Sequence, residues 1–323
     1  MGFFELSVFV GILRESLKIL SKNRLVISTI ATISILLNSF LLITNTLSMR
    51  SVAEDLVAKE TFLILLGPRN PELAHLLVGI KKDLRIILGL ELAILIMSLA
   101  VSLLFTGATV IASALAYKGN SLTFKDLKSR LARSCMRQFI TLFHVALLIT
   151  GYVILVLAIL ILLIVFTDPP NVSKATSIAI RIVGLLFWSY LSVVWVLAIV
   201  ASVIEDSCYG IEALGKASAL VKGNRLHGFA LNFLLMLPLL IIEPGYKMSM
   251  DKKSLWIKIV IKLLLIILYC LVTMFQFVTF TVLYFQCKKA YGEEIEMQGS
   301  SMEYTKIPST PVGFEDAPEP EGC

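Results

Sequence analysis

Apolar residues along this chain are gathered into six long blocks separated by charged connectors. The blocks run over 25–47, 86–117, 139–166, 177–204, 226–242 and 255–286. A helix rises about 1.5 Å per residue and the hydrocarbon core of a bilayer is about 30 Å thick, so about 20 apolar residues suffice to cross it. The block at 226–242 is the short one and holds Asn232 and Pro238. That pattern fits either a kinked crossing or a segment that dips into the bilayer and returns.

The two ends of the chain follow other rules. In residues 1–24, Phe3, Phe4, Val8, Ile12, Leu13, Leu17 and Leu20 line up at helical spacing against Arg14, Glu15, Lys18 and Lys22. This stripe predicts an amphipathic helix lying in the membrane interface. A cleaved signal would have a short charged start and a small-residue site after its apolar run, and this stretch has neither. Leu6 stands where N-myristoylation requires Ser or Thr. Residues 290–323 are acidic, contain several prolines and hold few apolar side chains. Such a segment cannot bury enough surface to fold alone and is expected to be a disordered cytosolic tail. Ser309, Thr310 and Pro311 form a candidate phosphorylation site within it. The expected organisation is an interfacial helix over 1–24, a six-helix transmembrane domain over 25–289 and the tail over 290–323. The fold class is all-α, a polytopic membrane bundle of about six transmembrane helices plus interfacial amphipathic helices.

Composition agrees with the pattern. Hydrophobic residues make up 57% of the 323 and charged residues 16%, with a mean hydropathy of +0.87. Water-soluble domains average about 45–50% apolar and about 25% charged, so the excess has no place in a soluble core. The net charge of +6 is spread over the connectors and forms no basic stripe interleaved with aromatics, so no nucleic-acid partner is expected. Five cysteines (Cys135, Cys208, Cys270, Cys287, Cys323) show no CxxC pair and no nearby His at ligand spacing. Neither a zinc site nor a disulfide framework is indicated. Cys287 ends an apolar block and precedes Lys288 and Lys289, which makes it a candidate for palmitoylation.

The connector from 118 to 137 is strongly basic. It holds Lys118, Lys125, Lys128, Arg130, Arg133 and Arg137, and it places Phe124, Leu127, Leu131 and Cys135 at helical spacing. Thr123 and Asp126 supply a capping signal at its start. The segment reads as a basic amphipathic helix on the cytosolic leaflet, with Lys125, Lys128, Arg130, Arg133 and Arg137 as candidate contacts to anionic lipid. If all six blocks cross, both termini share one side, and 16 of the 29 Lys and Arg residues fall on that side. The positive-inside rule then makes it cytosolic. The sequon Asn171-Val172-Ser173 falls on the opposite side, where Asn171 is a candidate glycosylation site.

The connector from 205 to 228 is the most patterned. Ile211, Leu214, Ser218 and Val221 are expected to share one helical face, Glu212 and Lys216 stand four apart, and Gly223 follows Lys222 as a helix stop. Here Glu205, Tyr209, Gly210, Ala213, Leu214, Ser218, Leu220, Lys222 and Gly223 resemble the Glu, Tyr-Gly, Ala-Leu, Ser, Leu, Lys-Gly stretch of a plant family of uncharacterised multi-pass transmembrane proteins. That resemblance extends over nearly the whole chain, from Gly11-Ile12-Leu13 to the tail at Tyr304 to Pro308. The stretch is also similar to the membrane domain of some bacterial glycerophosphodiester phosphodiesterases and to a bacterial inner-membrane family of unknown function. In these the Glu-to-Gly spacing is shorter. The resemblance implies a six-helix membrane fold and carries over no reaction, because the phosphodiesterase chemistry belongs to a separate soluble barrel.

Catalytic templates are missing. The chain has three His (His75, His144, His227), no phosphate-binding Gly loop, no GxSxG and no HExxH, so neither an enzymatic role nor a cofactor is expected. Glu91, Lys262 and His144 lie near block ends, where snorkelling or bonding to the helix backbone accounts for them. Asn38, Asn232, Thr273, Gln276 and Thr279 read as glue between helices, and Ala108, Ala112 and Ala116 as a ladder for close packing. The expected partners are the bilayer, its anionic lipids, and proteins that meet the cytosolic tail. The expected location is the endomembrane system or plasma membrane. The rival expectation is a transporter or channel for a small solute, and a cavity reaching Glu91, His144 or Gln276 would favour it.

Overall fold

The computed structural model describes residues 3–65, 72–119, 124–166, 170–222, 228–238, 244 and 255–290. The helices are α1 (Phe3–Lys22), α2 (Arg24–Leu65), α3 (Glu72–Tyr117), α4 (Phe124–Phe166), α5 (Pro170–Ile204), α6 (Ile211–Lys222), α7 (Gly228–Pro238) and α8 (Leu255–Ala290). No strand occurs among the described residues. Helices α2, α3, α4, α5 and α8 are each long and apolar enough to cross a membrane. The protein is a helical membrane bundle.

Several helices outrun the bilayer. With 42 and 46 residues, α2 and α3 are about 63 and 69 Å long at 1.5 Å per residue, twice the hydrocarbon thickness. No Gly or Pro interrupts the chain from Arg24 to Leu65, so the helix continues through what reads in sequence as a connector. The overhanging parts of α2 and α3 pair as an antiparallel hairpin. Lys59 of α2 joins them, donating to Asp55 at 2.7 Å and to the buried Asp83 of α3 at 2.6 Å. These two bonds hold its ammonium above the ordinary value of 10.5.

Contacts fix which helix ends lie together. Gln286 of α8 donates to Glu15 of α1 at 3.3 Å, and Tyr117 at the end of α3 stacks on Phe285 at 4.9 Å. Arg137 of α4 pairs with Asp206, just beyond α5. These groups define one end, here called the clamp end, and the α2–α3 hairpin marks the other. Since α6 lies at the clamp end and α8 runs back toward it from Leu255, the chain crosses the bundle between Lys222 and Leu255. Helix α7 makes the first part of that passage. Gly228 lies against Val193 of α5 and Leu283 of α8, and Asn232 reaches Ser189, deeper along α5. Of the apolar block at 226–242, the described residues 228–238 therefore make the start of a crossing, and α1 and the end of α8 sit at the same end.

The packed core is concentrated at the clamp end. It gathers Ile12, Ile111, Leu197, Ala213, Leu231 and Phe280, all 3% exposed or less. From Phe105 to Ala116, α3 is enclosed on every side, so Ala108, Ala112 and Ala116 face neighbours within the bundle. Toward mid-span the pattern inverts. Leu95, Ile154 and Leu264 are all more than 60% exposed, as side chains facing acyl chains should be.

Three expectations change in detail. The basic stretch expected as a separate surface helix is the first part of α4, continuous with the span to Phe166. Its apolar face packs on protein: Leu127 is buried in the core and Leu131 packs against it. Of the face shared by Ile211, Leu214, Ser218 and Val221 in α6, only Val221 is buried. Ala213, Ala217, Leu220 and Val221 are buried while Ile211 is exposed. Small alanines let α6 lie close to α5 and α8, and the bulkier Ile211 faces outward. Helix α1, expected to lie in the membrane interface, has Ile12, Ser16 and Ile19 buried against the bundle, chiefly α8, while Leu17 of the expected apolar stripe is exposed. The acidic tail and its Ser309-Thr310-Pro311 site lie outside the described residues.

Candidate functional site

Glu205, the residue that follows α5, joins three helices through its hydrogen bonds. Its side chain is 15% exposed. Lys216 of α6 donates to Oε2 at 2.9 Å, and Lys288 of α8 donates to Oε1 at 2.9 Å. The Tyr284 hydroxyl, one turn before Lys288, donates to the same Oε1 at 2.5 Å. Three helices thus meet on one carboxylate. Burial raises the Glu205 pKa, but the bonds from Tyr284, Lys288 and Lys216 outweigh it, and the group ends below its ordinary value of 4.5. The carboxylate stays ionised and acts as the negative centre of a clamp.

The residues after Glu205 make the second half of this clamp. Asp206 accepts from Arg137 of α4, and the backbone N–H of Gly210 donates to Thr141 Oγ1 of α4 at 2.8 Å. Gly210 has a φ of 62°, a left-handed conformation that lets the chain turn sharply into α6. His144 lies beside it and bonds the carbonyl of Ile140 in its own helix at 2.8 Å, the backbone-bonded role expected of it. Burial chiefly, with the neighbouring Glu205 charge, raises the Cys208 thiol pKa.

The structure brings together most of the patterned connector. Glu205, Gly210, Ala213 and Leu220 belong to the clamp or the core beneath it. Tyr209 is exposed, and Ser218 bonds the Gly215 carbonyl on the outer face. Gly223 lies outside the described residues. Sequence reading counted Lys216 as an orientation charge and the helical partner of Glu212, and Lys288 as an orientation charge flanking Cys287, and it missed Tyr284 and Thr141 entirely. One signal pointed to the first of these: Tyr284 and Lys288 stand four apart, on one helical face, at an apolar helix end.

The lipid-contact candidates divide. Lys125, Lys128 and Arg133 are exposed and Arg130 is half-buried, whereas Arg137 is held by Asp206. Exposed cations from other elements share this end: Arg14, Lys18 and Lys22 of α1, Lys222 of α6 and Lys289 of α8. Cys287 corrects an expectation. It is 1% exposed and sits in the core, because its helix face packs inward, so the accessible thiol that acylation requires is absent here. Asn171 lies in the first turn of α5, at the hairpin end, and its side chain lies outside the described residues.

A second polar feature lies at mid-span. A chamber of about 300 Å³ is lined by Ser34 and Asn38 of α2, Ser102 of α3, Gln138 of α4, and Thr273 and Gln276 of α8, with apolar neighbours. It reaches Gln276, and Glu91 and His144 do not line it. Of the expected glue residues, Asn38, Thr273 and Gln276 face this chamber. Asn232 does join helices, donating to Ser192 Oγ at 2.6 Å and Ser189 O at 2.9 Å. Thr279 bonds the Phe275 carbonyl of its own helix. Among the described residues, no group of three His, Cys, Asp or Glu is placed to hold a metal ion.

No curated protein and no solved structure matches this chain. Residues 4–303, almost the whole chain, match a family, and the chain therefore belongs to the family described as a domain of unknown function, DUF8558.

Proposed function

We propose that the chain is a non-enzymatic multi-pass protein of a eukaryotic endomembrane or plasma membrane that works through its clamp end. That end faces the cytosol, and there it gathers anionic lipid and the partners that the acidic tail recruits. The observation that carries this reading is the ring of exposed cations at one end of the bundle, contributed by α1, α4, α6 and α8. On α4 the apolar face is already taken up by the protein core, so Lys125, Lys128, Arg130 and Arg133 are left to meet headgroups. Each cation near an anionic surface contributes about 1 kcal/mol. The positive-inside rule supports the cytosolic assignment. The resemblance of the Glu205 to Gly223 stretch to a plant membrane family, and to the membrane domain of bacterial glycerophosphodiester phosphodiesterases, supports a membrane role without a reaction of its own.

The test uses the full chain in nanodiscs of mixed phosphatidylcholine and phosphatidylserine. Gln at positions 125, 128, 130 and 133 together should lower the phosphatidylserine retained after detergent extraction several-fold, with the fold intact. Unchanged retention would remove the lipid-gathering role. Arg137 is left out because it holds Asp206.

One observation favours a second reading, a carrier for a small uncharged solute: the mid-span polar chamber that reaches Gln276. Solute flux in proteoliposomes tests it.

A further inference from the structure

The mid-span chamber combines three properties. First, its lining carries hydroxyl, amide, thiol and phenol groups and no charged side chain. An ion would lose its hydration there without a counter-charge, so the fitting occupant is neutral. Second, Gln138 is 2% exposed, lines the chamber, and its Oε1 has no hydrogen-bond partner. A buried carbonyl without a partner is costly in water-free surroundings, and a donor brought by an occupant would satisfy it. A hydroxyl serves whichever way the amide is turned, because it both donates and accepts. Third, the exposed members of the lining are Ser102 on α3 and Tyr269 on α8. Both lie roughly four helical turns from the clamp end, so the chamber is open at the side of the bundle, between α3 and α8. Leu99 and Leu104 on α3, and Leu268 and Leu271 on α8, are exposed beside it, and acyl tails can lie along them.

We propose that this chamber binds the free hydroxyl of a neutral lipid headgroup, of the diacylglycerol kind, admitted laterally between α3 and α8. The size agrees, since pockets that enclose small ligands begin at about 300 Å³. The same hydroxyl chemistry is offered by a free polyol such as glycerol. The lateral mouth favours the lipid. The proposal rests on the chamber invoked for the carrier reading and does not require transport.

The experiment takes the full chain in phosphatidylcholine nanodiscs and a photoactivatable dioleoylglycerol analogue, reading labelled peptides by mass spectrometry. Saturable labelling of the α3 or α8 segments around Ser102 and Tyr269 is expected, displaced by dioleoylglycerol and not by dioleoylphosphatidylcholine. Ser102→Trp plugs the mouth from an exposed position outside the core and should lower labelling at least tenfold. Gln138→Leu removes the acceptor and should weaken half-saturation about tenfold, the loss of one well-made hydrogen bond. Displacement by glycerol at concentrations that leave dioleoylglycerol ineffective would overturn lateral lipid entry in favour of a free solute. Labelling that Ser102→Trp leaves unchanged, or that dioleoylphosphatidylcholine displaces equally, would overturn the site itself. Glycerol flux measured separately distinguishes the two ideas: binding without flux removes the carrier and leaves the site.

Discussion

Glu205 stands where α5 leaves the bilayer, and a lone carboxylate that is 15% exposed would be poorly tolerated there. Two ammonium groups and a phenol make it stable, and in exchange the carboxylate ties α5 to α6 and α8. Glu205→Gln should destabilise the protein by about 2 kcal/mol, because three donors lose a charged acceptor. Thermal unfolding in detergent checks this. The sign of the pH dependence follows from the lowered pKa. The contribution is fully present above the ordinary value of 4.5 and is lost as pH falls through the lower folded value. Acidification below 4.5 should therefore cost the native chain more stability than it costs the Gln variant. Gly210→Ala tests the turn into α6. A methyl group finds ordinary contact there, with its nearest neighbours at 3.5 Å, so the penalty is backbone strain of about 1 kcal/mol. At this scale the sequence was partly legible. Glu205 and Gly210 stood out as a pattern, but a pattern gives no partner, and Tyr284 and Thr141 lie 79 and 69 residues away from the groups they bond.

Among the elements, hydrophobic blocks located the five long spanning helices well, because crossing a bilayer takes about 20 predominantly apolar residues. Helix ends were less legible. The continuation of α2 and α3 into a hairpin depends on Lys59 reaching Asp83, a tertiary contact no local pattern states. The packing face of α6 was illegible for a similar cause: the spacing of Ile211 and Leu214 gives a shared face but no neighbour, and close approach to α5 selects the alanines at 213 and 217. Helix α7 is described over only Gly228–Pro238, about 16 Å at 1.5 Å per residue, and depends on its neighbour for position. Asn232 supplies that hold through Ser189 and Ser192. Asn232→Leu should lower the unfolding temperature by a few degrees, in line with about 1 kcal/mol for an interhelical bond in a membrane. An unfolding temperature unchanged by the substitution would show that α7 is held by apolar packing alone.

The whole molecule is asymmetric along the membrane normal. Core packing, the carboxylate clamp and most of the exposed cations among the described residues collect at one end, while the other carries the α2–α3 hairpin with its exposed Lys81, Lys82 and Arg85 and the start of α5 with Asn171. An asymmetric bundle of this kind has one orientation to choose and charge to choose it by. The central claim is that the chain crosses between Lys222 and Leu255, so that α1 and the end of α8 share a side. The direct measurement places an epitope tag at each terminus and digests sealed vesicles with protease before and after permeabilisation. Both tags should be lost together, in the same vesicles and before permeabilisation if the clamp end faces outward from them. One tag cut while the other is protected would mean an odd number of crossings and would contradict the topology.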